Sequence, residues 1–299
     1  MSFEGAQSIG DGQADSLIRA IEKLQGRVAA RLAALVSRLQ VDASGRILNN
    51  SANLQQLASI MVQAASSLVD DEFVEALADY VQSFDAITDE VGASFEAMGA
   101  AEVGQLKAIS RTFKAQIAAY LLDPDSYAAE TWLAATSNLT LAVVTGSSLN
   151  LAIDSVSGLL NGGSLLRSVG SSVATMPMLL QRAQTQAAAE AVGAVFFRWQ
   201  GRPIATTRVF CRDREGKVWH RDEIAQWGRD AVAGVDLDGN GKPGWAGMAE
   251  GTDELSIFVL LGGWYGDRRS CRHVLIPLSR RDVPEEDLER MLDAGLIDR

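Results

Sequence analysis

Cysteine and histidine are nearly absent, with two of each in 299 residues. Two cysteines cannot build a disulfide framework, so a reducing compartment is the default. Cations are missing over a long stretch. Between Ile47 and Leu106 there is no Lys or Arg, against ten acids: Asp70, Asp71, Glu72, Glu75, Asp79, Asp85, Asp89, Glu90, Glu96 and Glu102. The net charge is −11. That balance excludes a protein held to nucleic acid by general charge attraction, which needs Lys and Arg against phosphates. The acidic stretch reads as a solvated helix face, or as one shaped for a basic partner. The opening MSFEGAQSIGDGQADS has neither a basic flank nor an apolar run, so no secretory signal is expected. Thr131 to Ile153 lacks any charge for 23 positions, long enough to span a bilayer. It is interrupted by Thr136, Ser137, Asn138, Thr140, Thr145 and Asn150 and has no Lys/Arg flank. The expectation is a buried bundle helix, with a membrane span as the alternative.

What is present is helix. Leu17, Ile21, Leu24, Val28, Leu32, Leu35 and Leu39 recur every three or four residues, which lines one helix face. Asp15 fits its N-cap, and residues 1–14 are expected to be disordered or extended. VDASGRILNNS then reads as a turn. Leu54, Leu57, Met61, Ala64 and Leu68 suggest a second helix. Leu77, Tyr80, Phe84, Ile87, Val91 and Met98, flanked by Phe73 and Phe95, give a third with a coiled-coil-like seam. Asp70, Asp71 and Glu72 suit its positive N-terminus. A fourth runs from about Val103 to Leu122, closed by Pro124. The Gly/Ser-rich segment 157–172 reads as a hinge. A last helix is expected from Met178 to Trp199.

Composition then shifts. Five of the six Trp lie between residues 199 and 264. ATTRVF, IFVLL and HVLIPL are β-prone, while RDEIAQWGRDAV and VPEEDLERMLDAGL read as short helices. The expected fold class is therefore mainly α: an elongated helical domain over 15–198, then a small α+β domain over 203–299.

The scarce residues all fall in that second domain, and several readings stay open. Cys211, His220, Cys271 and His273 form a Cys₂His₂ zinc ligand set, although their spacing lacks the short Cys-x-x-Cys closure. If ATTRVFC and CRHVLIP pair as strands, Cys211 and Cys271 sit face to face as a disulfide or close thiol contact. A Cys–His nucleophile would need a base and oxyanion donors that no motif supplies. DLDGNG places Asp236, Asp238 and Asn240 as the opening of a calcium loop, but its twelfth position is Gly247. A tight turn is the competing reading. Gly262 and Gly263 in LLGGWYG fit a sharp reversal, not a phosphate loop.

Together, TTRVFCRDREGKVWH, the Gly-rich element and CRHVLIP resemble the C-terminal region of tailed-phage minor head proteins of the phage Mu head-morphogenesis type. The resemblance rests on Thr207, Arg208, Phe210, Cys211, Gly216, Lys217, Val218, Gly262, Gly263, Cys271, Arg272, His273 and Pro277, within about 70 residues. It departs from that pattern at Ser270, where Asn often precedes the Cys, and in the lone Cys211. The resemblance implies a structural virion protein. It would be present in several copies at the portal vertex, with portal or capsid proteins as partners and with no cofactor and no enzymatic activity. Two other classes stand beside it: a toxin-like or hydrolytic domain on a helical delivery arm, and a membrane-active ejection protein.

Overall fold

The computed structural model describes residues 3–65, 67–96, 103–123, 129–161, 164–201, 207, 209–237, 252–260 and 273–298. Among these residues seven helices come first: α1 (Phe3–Val36), α2 (Ser51–Ala65), α3 (Asp71–Glu96), α4 (Val103–Leu122), α5 (Ala129–Thr145), α6 (Leu149–Asn161) and α7 (Ser164–Ala191). A mixed region follows: β1 (Phe196–Gly201), α8 (Val209–Arg212), β2 (Val218–His220), α9 (Arg221–Ala233), α10 (Ile257–Leu260), β3 (His273–Leu278) and α11 (Glu285–Asp293). The chain is mainly α with one small antiparallel sheet near its C-terminal end, in the order β2-β1-β3.

The chain forms two compact units, and neither is a continuous segment. One comprises 12–82 and 114–173; the other comprises 1–11, 83–113 and 174–299.

The unit of 12–82 and 114–173 has the core that the helical stripe predicts. Leu17, Ile21, Leu24, Val28, Leu32 and Leu35 are buried, with Phe73, Leu77 and Tyr80 from α3. Asp70 caps α3 by accepting from Phe73 N at 2.9 Å. Its carboxylate and that of Glu72 also meet Arg27, at 2.6 and 2.7 Å. On α2 the buried face is Asn53, Leu57, Ile60 and Ala64, so Leu54 is exposed. Asn53 takes the inward place because its amide serves the preceding turn, donating to the Gln40 and Leu48 carbonyls at 2.9 and 2.7 Å.

Tyr80 lies fully inside this unit and donates to the Val173 carbonyl at 2.7 Å. Burial pushes its hydroxyl well above the ordinary value. The folded state holds the neutral phenol, while an unfolded chain ionises near pH ~10. The stability contributed is full below that pH and is lost as pH rises above it. Tyr80→Phe is expected to cost about 1 kcal/mol at neutral pH and to flatten the fall in melting temperature between about pH 9 and 11. Melting curves across that range, for both proteins, check this.

In the unit of 1–11, 83–113 and 174–299, helical packing includes Phe84, Ile87, Val91, Phe95 and Leu106. Helix α7 contributes buried polar residues as well. Gln184 Nε2 donates to Thr88 Oγ1 at 2.7 Å and to the Leu106 carbonyl at 3.0 Å. Such a buried polar layer must be satisfied to be tolerated, so it fixes the register of the packed helices.

Several expectations are corrected. Residues 3–14 are not disordered or extended but the start of α1, and Asp15 lies inside that helix. The stripe there is made of small residues, which a search for large apolar ones passes over. Ala6 and Gly10 are buried, and a Cβ on Gly10 would lie 2.5 Å from Pro177 Cβ. The uncharged stretch 131–153 is not one helix. It breaks between α5 and α6 at Gly146, whose φ of +62° suits a residue without a side chain. Among the described residues no helix is long and apolar enough to cross a membrane. Residues 157–161 and 164–172 of the expected hinge segment are helical, while its centre, residues 162 and 163, lies outside the described residues. The last long helix stops at Ala191, and Gly193 (φ +64°) turns the chain into β1. Of the three β-prone runs, only HVLIPL forms a strand among the described residues; Val209–Arg212 and Ile257–Leu260 are short helices, and the centre of the sheet is FFRWQG.

Candidate functional site

β1 organises the C-terminal region. Phe196 pairs with His220 of β2 and Leu278 of β3, while Gly201 at its other end pairs with His273. Its aromatic side chains reach helices on both flanks. Trp199 is fully buried, edge-on to Phe210 at 5.5 Å and to Trp227 at 5.9 Å. Phe210 and Trp227 are themselves 5.5 Å apart, and Trp219 meets Trp227 at 4.9 Å. Edge-to-face pairs at these separations place the positive ring edge on the negative ring face.

Two arginines complete the cluster. The Arg214 guanidinium carbon lies 3.7 Å from the Phe210 ring centre and 4.4 Å from that of Trp227. Arg290, from α11, stands 4.7 Å over Trp219, donates to the Val218 carbonyl at 2.6 Å and pairs with Glu223. Asp287, one turn earlier, accepts from Val218 N at 3.2 Å. The two α11 side chains thus satisfy both backbone groups of Val218 in β2.

The sequence candidates separate within this frame. His220 is the N-cap of α9. Its Nδ1 accepts from Asp222 N at 3.3 Å, and Glu223 returns the favour to His220 N at 2.8 Å, a complete capping box. His273 is buried, with Nε2 2.8 Å from Glu215 Oε2 and its ring beside Trp199. The two histidines face opposite ends of β1, five residues apart in register. At about 3.3 Å per residue that is roughly 16 Å along the strand. A single zinc with nitrogen ligands at about 2 Å cannot take both, so the set Cys211, His220, Cys271 and His273 does not converge as four. Among the described residues no group of three or more His, Cys, Asp or Glu could hold a metal ion.

Cys211 is buried in α8. Among the described residues the expected strand pairing of ATTRVFC with CRHVLIP is not formed: Val209–Arg212 is helical and β3 pairs with β1. Cys271 lies outside the described residues, and with it the pair it would form. Arg208, Gly262, Gly263 and Arg272 also lie outside them, as do Asp238 and Asn240 of the calcium loop. Asp236 and Thr207 are described and partly buried. Pro277 is buried opposite Phe197. Gly216, at φ +75°, donates to the Trp199 carbonyl at 2.8 Å and turns the chain from α8 into β2.

Sequence reasoning missed Trp199 as the hub, placing it at the end of a helix. It also missed Glu215, Arg214, Asp287 and Arg290. The Asp-x-x-Arg spacing within α11 was the available signal for the last two. Glu215 ties three elements together: Oε1 accepts from Gly201 N at 3.0 Å while Oε2 faces His273. Glu215→Ala is expected to cost about 1–3 kcal/mol, because the Gly201 N–H loses its acceptor and the carboxylate 2.8 Å from the buried His273 Nε2 is removed. Glu215→Gln, which retains one acceptor oxygen, is expected to lose about half as much. Urea unfolding of the two variants distinguishes them.

No family model, curated protein or solved structure matches this chain.

Proposed function

We propose that this chain is a structural protein of a tailed-phage virion, associated with the portal or capsid and acting through protein–protein contacts. The observation that carries the reading is the use made of the residues behind the resemblance. Phe210 and His273 pack on Trp199, and Gly216 hydrogen-bonds to its carbonyl. Residues spent in this way hold a fold, and both histidines are committed to neighbours inside it. The charge pattern supports the same reading. On α3 the face opposite the core exposes Asp71, Glu75, Asp79, Asp85, Asp89 and Glu96, a surface that DNA phosphates repel.

The test is the composition of purified particles. Quantitative mass spectrometry is expected to find the chain at several copies per wild-type particle, and to lose it from particles assembled without the portal protein. Absence from wild-type particles overturns the virion assignment. Unchanged incorporation without portal overturns the portal association.

A further inference from the structure

We infer that one end of the unit of 12–82 and 114–173 is a self-association surface, where two copies of this chain meet. The inference does not depend on the virion reading.

Two turns, about a hundred residues apart in sequence, build this end. The loop after α1 and the turn between α5 and α6 are stitched by backbone bonds, Ile47 N to the Ser147 carbonyl at 2.9 Å and Leu149 N to the Gly45 carbonyl at 3.1 Å. Side chains reinforce the junction: Arg46 Nε donates to the Gly146 carbonyl at 2.8 Å and Asn49 Nδ2 to that of Val144 at 3.0 Å. The platform is therefore rigid. Within about one helical turn of it, five aliphatic side chains are exposed: Val41 by 38%, Leu48 by 37%, Leu141 by 61%, Val144 by 51% and Leu151 by 67%. Single exposed aliphatics need no explanation, but a group on one fixed platform marks a contact surface.

Charge selects the occupant. The chain as a whole carries −11, so two copies repel over most of their surfaces. The two segments that build this end, residues 38–50 and 141–155, carry only Arg38, Asp42, Arg46 and Asp154, which sum to zero. Asp42 is also turned inward on its own loop, accepting from Ser44 N at 2.8 Å and Arg46 N at 3.0 Å. An isologous contact sets a patch against itself, so any net charge there would oppose it. This patch has none. A nucleic acid would want cations. A bilayer surface would want the Trp, Tyr and Lys that seat proteins at the interface, and residues 39–50 and 141–155 contain none of these three.

The experiment is sedimentation velocity of the full chain over a wide concentration range. Wild type is expected to shift from monomer toward twice the monomer mass as concentration rises, and more readily at higher salt, where the repulsion of −11 charges is screened. Leu141→Lys and Leu141→Glu, each at an exposed site and checked for wild-type melting, are expected to stay monomeric alone and to dimerise when mixed. Monomer at every concentration, or dimerisation unaffected by either variant, overturns the inference. So does dissociation by salt, which would mark a charge-driven contact elsewhere. Co-sedimentation of a monomeric wild type with phosphatidylcholine vesicles would overturn it in favour of a lipid surface.

Discussion

Trp199→Ala is expected to destabilise the C-terminal region by about 3–5 kcal/mol, a large share of the roughly 5–15 kcal/mol that holds an ordinary domain folded. Trp199 is fully buried and touches Phe210, Trp227 and His273. Those neighbours are held from separate elements: α8, α9 and β3. Truncation leaves a cavity that no single element can close by moving inward. The backbone at the same residue is fixed, because Trp199 N donates to the Lys217 carbonyl and its own carbonyl accepts from Gly216 N. Trp199→Phe separates packing from polarity. Among the described residues the indole Nε1 has no hydrogen-bond partner, so replacing it with a ring carbon loses volume but no bond there. A loss of about 1–2 kcal/mol is expected for Phe. Urea unfolding followed by fluorescence of the remaining tryptophans measures both. An Ala variant within about 1 kcal/mol of wild type would show that Trp199 is not the hub of this region.

The outcome at Trp199 shows where the sequence was legible. The seam of α3 was readable as far as the described residues reach, since Phe73, Leu77, Tyr80, Phe84, Ile87 and Val91 are all buried at helical spacing, while Met98 lies outside them. A 3.6-residue period in large apolar side chains is a local property, so a single sequence exposes it. The start of α1 was not readable, because its inward stripe there includes Ala6 and Gly10, which carry no hydrophobic contrast. β1 was hidden for another reason. FFRWQG follows an Ala-rich helix after only four residues, 192–195, among which Gly193 is the one turn signal. A short buried run does not tell helix from strand by periodicity. The candidate site was half legible. Scarcity pointed to His220 and His273, but scarcity says nothing of distance. Their separation follows from the antiparallel register of three strands, a long-range property. Glu215 is one ordinary acid among many in the sequence, and only folding brings it to both His273 and Gly201.

Gly228→Ala is expected to destabilise by about 3 kcal/mol, against the sign of helix propensity. In the middle of α9 an Ala would ordinarily stabilise by up to about 1 kcal/mol relative to Gly. Here a Cβ would lie 2.2 Å from the Asp253 carbonyl oxygen and 2.6 Å from Glu254 N. Both are backbone atoms, so no side-chain rotation relieves the overlap. Nor can that backbone segment withdraw cheaply. The Asp253 carbonyl accepts from Ile257 N at 3.0 Å, and its carboxylate accepts from Ser256 N at 2.8 Å and Leu255 N at 3.0 Å. Those bonds to Ser256 and Leu255 hold the Asp253 carboxyl below its ordinary range. The turn is therefore fully tied at neutral pH and loosens only as pH falls through that depressed value. Overpacking of this kind typically costs about 1–3 kcal/mol, and a rigid partner puts it at the upper end. Gly26→Ala is the control. Gly26 is exposed within α1, and nothing lies within 4 Å of the added carbon. There the propensity term stands alone, and a gain of about 0.5–1 kcal/mol is expected. Opposite signs for the two substitutions in parallel chemical melts are the expected result. A stabilised Gly228→Ala would mean that α9 and the Asp253 turn do not meet at backbone contact.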